Sequence, residues 1–272
     1  MSKAAKISDN SPKPYKLGLA LSGGGARGFA HAGALFAIEE AGLKPDIVAG
    51  VSAGSVIAVL YAAGVTPLRM ADIFYKTGFR DFAELSFGEG GLFKIEKFMH
   101  FILRAIGDYS NLEDLPIPTY IGATDLDNGK AVAFNEGPIG PRMMASCSIP
   151  IVFKPVNIDG INYVDGGVLR NHPAWMLRDK CETLIGINVS PLRQGRQYRS
   201  IIDVAMRSYN LLAKANQKAD MDLCDINVAT PDLANYAVFD LSKIKEVFIS
   251  GYIHTRAVLR EAGLWNPQND ER

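Results

Sequence analysis

Ser52 stands between two glycines in the run Gly50-Val51-Ser52-Ala53-Gly54. This G-x-S-x-G spacing suits a serine held on a sharp strand-to-helix turn. The glycines leave room where the backbone bends. The hydroxyl then emerges at a helix N-terminus, where N–H groups and the helix dipole favour negative charge. The chemistry such a residue suits is attack on an acyl carbonyl, which builds up an oxyanion. The same run also fits a plain small-residue turn where backbones pack closely.

A serine nucleophile needs oxyanion donors and a base. The stretch Ser22-Gly23-Gly24-Gly25-Ala26-Arg27-Gly28 offers donors, because Gly23, Gly24 and Gly25 can turn N–H groups inward without side-chain obstruction. Arg27 either braces this loop or faces an anionic head group. Gly23-x-Gly25-x-x-Gly28 also fits a dinucleotide fingerprint, but that motif calls for an acidic residue ending the second strand. Here the second strand ends in Gly50-Val51-Ser52, and Asp46 lies before it.

The residues leave the base open. His172 is the one plausible histidine, in a loop after a strand; its plainer reading is a surface residue beside Pro173. His31, in the first helix, reads as a packing or capping group. Asp165 ends a strand and precedes Gly166 and Gly167, although Asp-Gly-Gly is also an ordinary turn.

The elements that must position these residues alternate. A strand over 16–21 is followed by the glycine loop and a helix over 29–41. A buried strand at 46–49 leads into the serine turn and an apolar helix over 53–63, stopped by Gly64. The chargeless run from Ile47 to Leu68 is long enough to cross a bilayer, but five glycines and serines dilute it. A buried strand plus a buried helix explains it better. Further on come a short helix over 67–76, an irregular stretch over 81–92 and an amphipathic helix over 93–106. That last helix reads either as core packing or as a lid beside the site. Strands at 119–124 and 131–134 flank a hairpin turn at Asp127-Asn128-Gly129. A short helix over 141–148, a strand over 161–164, a helix over 173–179, a strand over 183–189, a long helix over 201–222, a strand over 225–229 and a helix over 243–261 complete the chain. Helices separate most strands. This predicts one α/β domain over 16–265, a three-layer α/β/α sandwich with a mostly parallel central sheet, preceded by a flexible leader over 1–15.

Composition narrows the function. Lys plus Arg and Asp plus Glu number 29 each, so no polyanionic partner is implied and nucleic-acid binding is disfavoured. Hydrophobic residues make up 48%, enough for a packed core. Three cysteines, without metal-ligand spacing, point to reduced thiols and a cytoplasmic setting. The four scattered histidines predict no metal site. The N-terminus lacks the apolar centre of a signal peptide.

Taken in order, three motifs resemble those of the patatin-like phospholipase family. Ser22 to Gly28 is similar to its oxyanion loop, Gly50 to Gly54 to its nucleophile elbow, and Asp165-Gly166-Gly167, with Asn171 and Pro173, to its base motif. Ala145-Ser146 through Pro150 is also similar to a family segment. The resemblance covers roughly residues 19–178. It implies a patatin-like fold and a Ser–Asp dyad, with Ser52 as nucleophile and Asp165 as base. It also implies oxyanion donors in the Gly23–Gly25 loop supported by Arg27, motif glycines at Gly28, Gly50, Gly54, Gly166 and Gly167, and no cofactor. The implied substrate is a phospholipid, lysophospholipid or related acyl ester, met through peripheral membrane contact. Ser22 departs from the pattern, since many members carry Asp there. An acyltransferase, or a regulatory protein with a vestigial site, are the competing readings.

Overall fold

The computed structural model describes residues 12–75, 84–85, 93–94, 96–192, 198–238 and 240–266. In chain order the elements are β1 (Tyr15–Leu21), α1 (Phe29–Glu40), β2 (Ile47–Val51), α2 (Ala53–Ala62), α3 (Pro67–Tyr75), β3 (Glu84–Leu85), β4 (Phe93–Lys94), α4 (Glu96–Ala105), β5 (Thr119–Asp125), β6 (Lys130–Phe134), α5 (Ile139–Cys147), β7 (Val156–Ile158), β8 (Ile161–Asp165), α6 (Ala174–Leu177), β9 (Cys181–Asn188), α7 (Ile201–Ala215), α8 (Gln217–Met221), β10 (Ile226–Ala229) and α9 (Ile244–Glu261).

Strands β10-β9-β1-β2-β5 are paired in parallel, and β5 then meets β6 and β8 antiparallel. Alternation along the central strands sorts side chains to two faces, as the two-residue period of a strand requires. Leu19, Leu21 and Val48 point into one core, with α1 to α5 and α9. Ala20, Ile47, Ala49 and Val51 point into a second, with Ala174, Met176 and Leu177 of α6. The sheet therefore lies between two helical layers, as the sequence predicts.

Several boundaries differ from the sequence reading. The 47–68 run divides into β2, α2 and the start of α3, and among the described residues no helix is long and apolar enough to cross a membrane. Tyr15, assigned to the leader, already belongs to β1, and Lys13 Nζ donates to the Arg178 carbonyl at 2.8 Å. Phe93 and Lys94 pair with β3, so the amphipathic helix starts at Glu96; its Met99 and Ile102 lie in the main core, the packing alternative of the two. The irregular stretch over 81–92 lies outside the described residues except for Glu84–Leu85. The long helix breaks at Asn216 into α7 and α8. Strand β7 escapes the sequence reading because its three residues show too little alternation.

Register on β5 has a consequence for the site. β6 pairs with Ile121–Asp125, β2 with the segment through Gly122, and β8 with Ala123–Asp125. A strand has two edges. Since β6 overlaps both of the others, β2 and β8 share the opposite edge and run toward each other along it. Val51 pairs with Gly122 and Asp165 with Ala123.

Candidate active site

The head-on strands bring Ser52 and Asp165 together. Ser52 follows β2 with φ 52° and ψ −127°, a left-handed conformation that costs a non-glycine residue about 1–3 kcal/mol. The surroundings hold it there. Ser52 N–H donates to Ser146 Oγ at 2.8 Å, and Ser146 Oγ–H donates to the Gly122 carbonyl at 2.6 Å. The Ser52 carbonyl accepts from Ser55 N–H at 2.8 Å and from Ser55 Oγ at 2.6 Å. A Cβ at Gly54 would meet the carbonyls of Leu21 and Ser22, so the elbow sits directly on the end of β1.

Asp165 is fully buried. Its Oδ1 accepts from Gly167 N–H at 2.8 Å, and the hydroxyls of Ser52 and Tyr209 face the same carboxyl group. Burial pushes its pKa up to about 6, against the opposing pull of those three donors. Near neutral pH it is thus mostly ionised, yet more basic than a solvated aspartate. A side chain at Gly167 would run into Tyr209 Oη and, at 3.0 Å, Asp165 Oδ1. The second glycine of Asp-Gly-Gly therefore leaves space for the carboxyl group's neighbours.

The residues of the glycine loop do not share one role. Gly23 N–H is engaged by the Asn171 carbonyl at 3.2 Å. Gly25 has φ 59°, a conformation a side chain disfavours. The N–H groups of Gly24 and Gly25 have no acceptor among the described residues, and both residues line a pocket with Ser52. Arg27 is buried and turned away from it. Nε and Nη2 donate to the Tyr236 carbonyl at 2.9 and 2.7 Å, and Nη1 to the Pro191 carbonyl at 3.1 Å. Arg27 thereby braces the loop, one of the two roles its sequence position allowed. Gly28 packs against Ala53, where an added Cβ would lie 2.5 Å from the alanine's own. Ser22 Oγ accepts from Val189 N–H at 3.0 Å and donates to the Gly23 carbonyl at 3.1 Å, so it ties the loop to the end of β9.

His172 is not the surface residue that its plainer sequence reading proposed. It is fully buried, and neither ring nitrogen has a hydrogen-bond partner. Burial, reinforced by the nearby His31, lowers its pKa to about 3. His31 is likewise buried, lowered by burial to about 4, and its Nε2 bonds the Ser22 carbonyl at 2.8 Å. Both rings are neutral above mildly acidic pH. Among the described residues no group of three metal-ligating side chains is brought together.

The family model for patatin-like phospholipases matches residues 19–178, more than half of the chain. The chain belongs to the patatin-like phospholipase family. An uncharacterized NTE family protein of Mycobacterium tuberculosis is 35% identical over 156 residues, covering 57% of this chain and 43% of that protein. A lysophospholipase of Emericella nidulans is 33% identical over 166 residues, covering 57% of this chain and 10% of its own length. The chain thus spans less than half the length of these curated relatives. Among solved structures, VipD from Legionella pneumophila is similar in fold, with a TM-score of 0.51 and 14% identity over 92% of this chain and 67% of that one.

Two features of this patatin-like site draw on residues beyond the matched segment, Tyr209 and Asp220. Tyr209, on α7, reaches the Asp165 carboxyl group. Arg170, just after the base motif, is ion-paired with the buried Asp220 of α8 and stacks over Trp175 at 5.2 Å. No local motif marks either residue in the sequence. The only trace of Tyr209 is its place in the inward stripe Met206-Tyr209-Asn210-Ala213.

Proposed function

We propose that the protein is a serine hydrolase of lipid acyl esters, working through a Ser52–Asp165 dyad. The observation that carries this reading is the meeting of the two residues at opposed strand ends, with the carboxyl group's pKa raised to about 6. Ser52 Oγ attacks the ester carbonyl as Asp165 takes the hydroxyl proton. The resulting oxyanion accepts hydrogen bonds from the N–H groups of Gly24 and Gly25. Collapse breaks the acyl–oxygen bond, and Asp165 returns its proton to the leaving alcohol. A water, deprotonated by the same carboxylate, then attacks acyl-Ser52 and releases the fatty acid and the free serine. Charge and protons balance on these residues alone. The relatives' names support a lipid as substrate, and the zero net charge fits peripheral rather than strongly electrostatic membrane contact.

The test is a fluorophosphonate adduct mapped by peptide mass. It is expected on Ser52, and absent from Ser52→Ala together with ester turnover, a loss of roughly a thousandfold or more. Labelling at another residue, or undiminished turnover in Ser52→Ala, would overturn the assignment.

A further inference from the structure

Two guanidinium groups meet in a groove at the far end of α2. Ser52 stands at the start of this 10-residue helix. Gly64, with φ 86°, closes its other end by donating to the Tyr61 carbonyl at 2.9 Å. At 1.5 Å per residue the two ends lie about 15 Å apart. Past Gly64 the chain turns at once into α3. Thr66, Arg69 and Ile73 line one side of the groove, and Phe101, Arg104 and Ala105 of α4 the other. Its volume is about 600 Å³, within the range of small-molecule sites. The Phe101 ring meets Phe74 of α3 edge-on, with centroids 6.2 Å apart, so α3 and α4 hold the shape of the groove between them.

Charge in the groove is left unbalanced. Arg104, in the last turn of α4, suits the negative end of its own helix. Arg69 has no such reason for its place. It stands in the first turn of α3, which holds no acidic residue, and adds its charge to the positive end of the helix dipole. Helical side chains lean toward the N-terminus, which keeps the guanidinium at that end. No carboxylate lines the groove. Asp72 lies one turn along α3 and Asp108 just past α4, both exposed. Among the described residues no ion pair joins either of them to Arg69 or Arg104. Beside the two cations the wall is apolar, with Val65, Ile73, Phe101 and Ala105. Paired guanidiniums recognise a two-oxygen anion, and the apolar wall suits a hydrocarbon chain attached to it.

We propose that this groove is a second binding site, for a long-chain fatty acid. Its carboxylate lies between Arg69 and Arg104, and its chain runs along Ile73 and Phe101. The site is separate from the Ser52 pocket, with which it shares no lining residue. The choice of a carboxylate over a phosphate head rests on the acyl hydrolase reading, whose product is a fatty acid. Recognition of an anionic amphiphile by the groove does not.

The test is calorimetric titration of the intact wild-type and Ser52→Ala proteins with dodecanoate below its micellar concentration. Both are expected to bind it saturably, and more weakly as salt is raised. Arg69→Gln and Arg104→Gln should each weaken binding about threefold or more, and the pair of changes together about tenfold or more. A thermal melt checks the fold of each variant. Arg69→Lys/Arg104→Lys, which keeps both charges, should restore most of the affinity. Hexanoate should bind at least about tenfold more weakly than dodecanoate, because its shorter chain buries fewer methylenes. Dodecyltrimethylammonium, with the opposite charge, should not bind. Absence of saturable binding would overturn the proposal, as would a double Gln variant that binds dodecanoate like wild type. So would equal binding of hexanoate or of the cation. Dodecyl phosphate binding about tenfold more tightly than dodecanoate would replace the fatty acid by a phosphate amphiphile. Ester turnover surviving in Ser52→Ala would instead sink the dyad and leave the binding result standing.

Discussion

Ser52 and Asp165 adjoin because their strands end against each other on a single edge of β5, Val51 opposite Gly122 and Asp165 opposite Ala123. Hydrogen bonds to Ser146 and Ser55 fix the backbone of the nucleophile, and the Gly167 N–H fixes the base, so each keeps its place without depending on the other alone. Asp165→Asn should therefore keep the fold while disabling acylation nearly as fully as Ser52→Ala. The double variant should be no worse than either single one, as expected of residues acting as a unit. Rates of fluorophosphonate labelling would show it.

The raised carboxyl pKa makes a second prediction about the same residue. Asp165 binds its proton more tightly folded, at about 6, than unfolded, near 3.8. Its contribution to stability is therefore present below about pH 4 and is lost as pH rises through 6. Removing the buried charge with Asp165→Asn should stabilise the protein at pH 8 by about 2–3 kcal/mol, with the difference vanishing below about pH 4. Denaturant melts at the two pH values decide this. The acidic limb of the kcat/KM profile should likewise fall near pH 6.

The buried histidines act in the opposite direction. Their folded pKa values of about 3 and about 4 lie below the unfolded value of 6.5. Protonation therefore favours the unfolded chain, and stability falls as pH drops below 6.5. His172→Met should stay within about threefold of wild-type turnover, because no hydrogen bond links this ring to the site. It should also flatten the loss of melting temperature between pH 6.5 and 5. An inactive, well-folded His172→Met would instead point to a histidine base.

Gly25→Val should reduce turnover at least about a hundredfold while KM changes little, because a β-branched side chain disfavours the positive φ and so misdirects the N–H aimed at developing charge. The position has φ 59°, and a side chain there would meet Val238. A folded variant within a few-fold of wild type would exclude Gly25 from the oxyanion site.

Tyr209→Phe deletes a hydroxyl that lowers the Asp165 pKa. The acidic limb should move to higher pH, with turnover at pH 6 falling more than at pH 8. A uniform loss at all pH values would mean that Tyr209 only packs.

The sequence by itself determined the parts. Alternation and helical spacing placed most strands and helices, because burial on one or both faces leaves a local periodic trace. Ser22–Gly28, Gly50–Gly54 and Asp165–Gly167 are also local patterns, since tight turns and close backbone contacts demand particular small residues at fixed spacing. Between Asp165 and His172 the residues alone were undecided, and only the resemblance of the motifs pointed to the aspartate. What the tertiary structure decided was pairing. The opposed β2 and β8, the burial that raises Asp165, the neutral state of His172 and the turn of Arg27 away from the pocket all depend on neighbours distant in the chain. Burial and hydrogen-bond partnership are properties of packed surfaces, and no local window contains them. The same holds for α7: its amphipathic pattern is readable in one dimension, but only packing shows that its larger apolar face looks outward and that Tyr209, Asn210 and Ala213 close over Ser52.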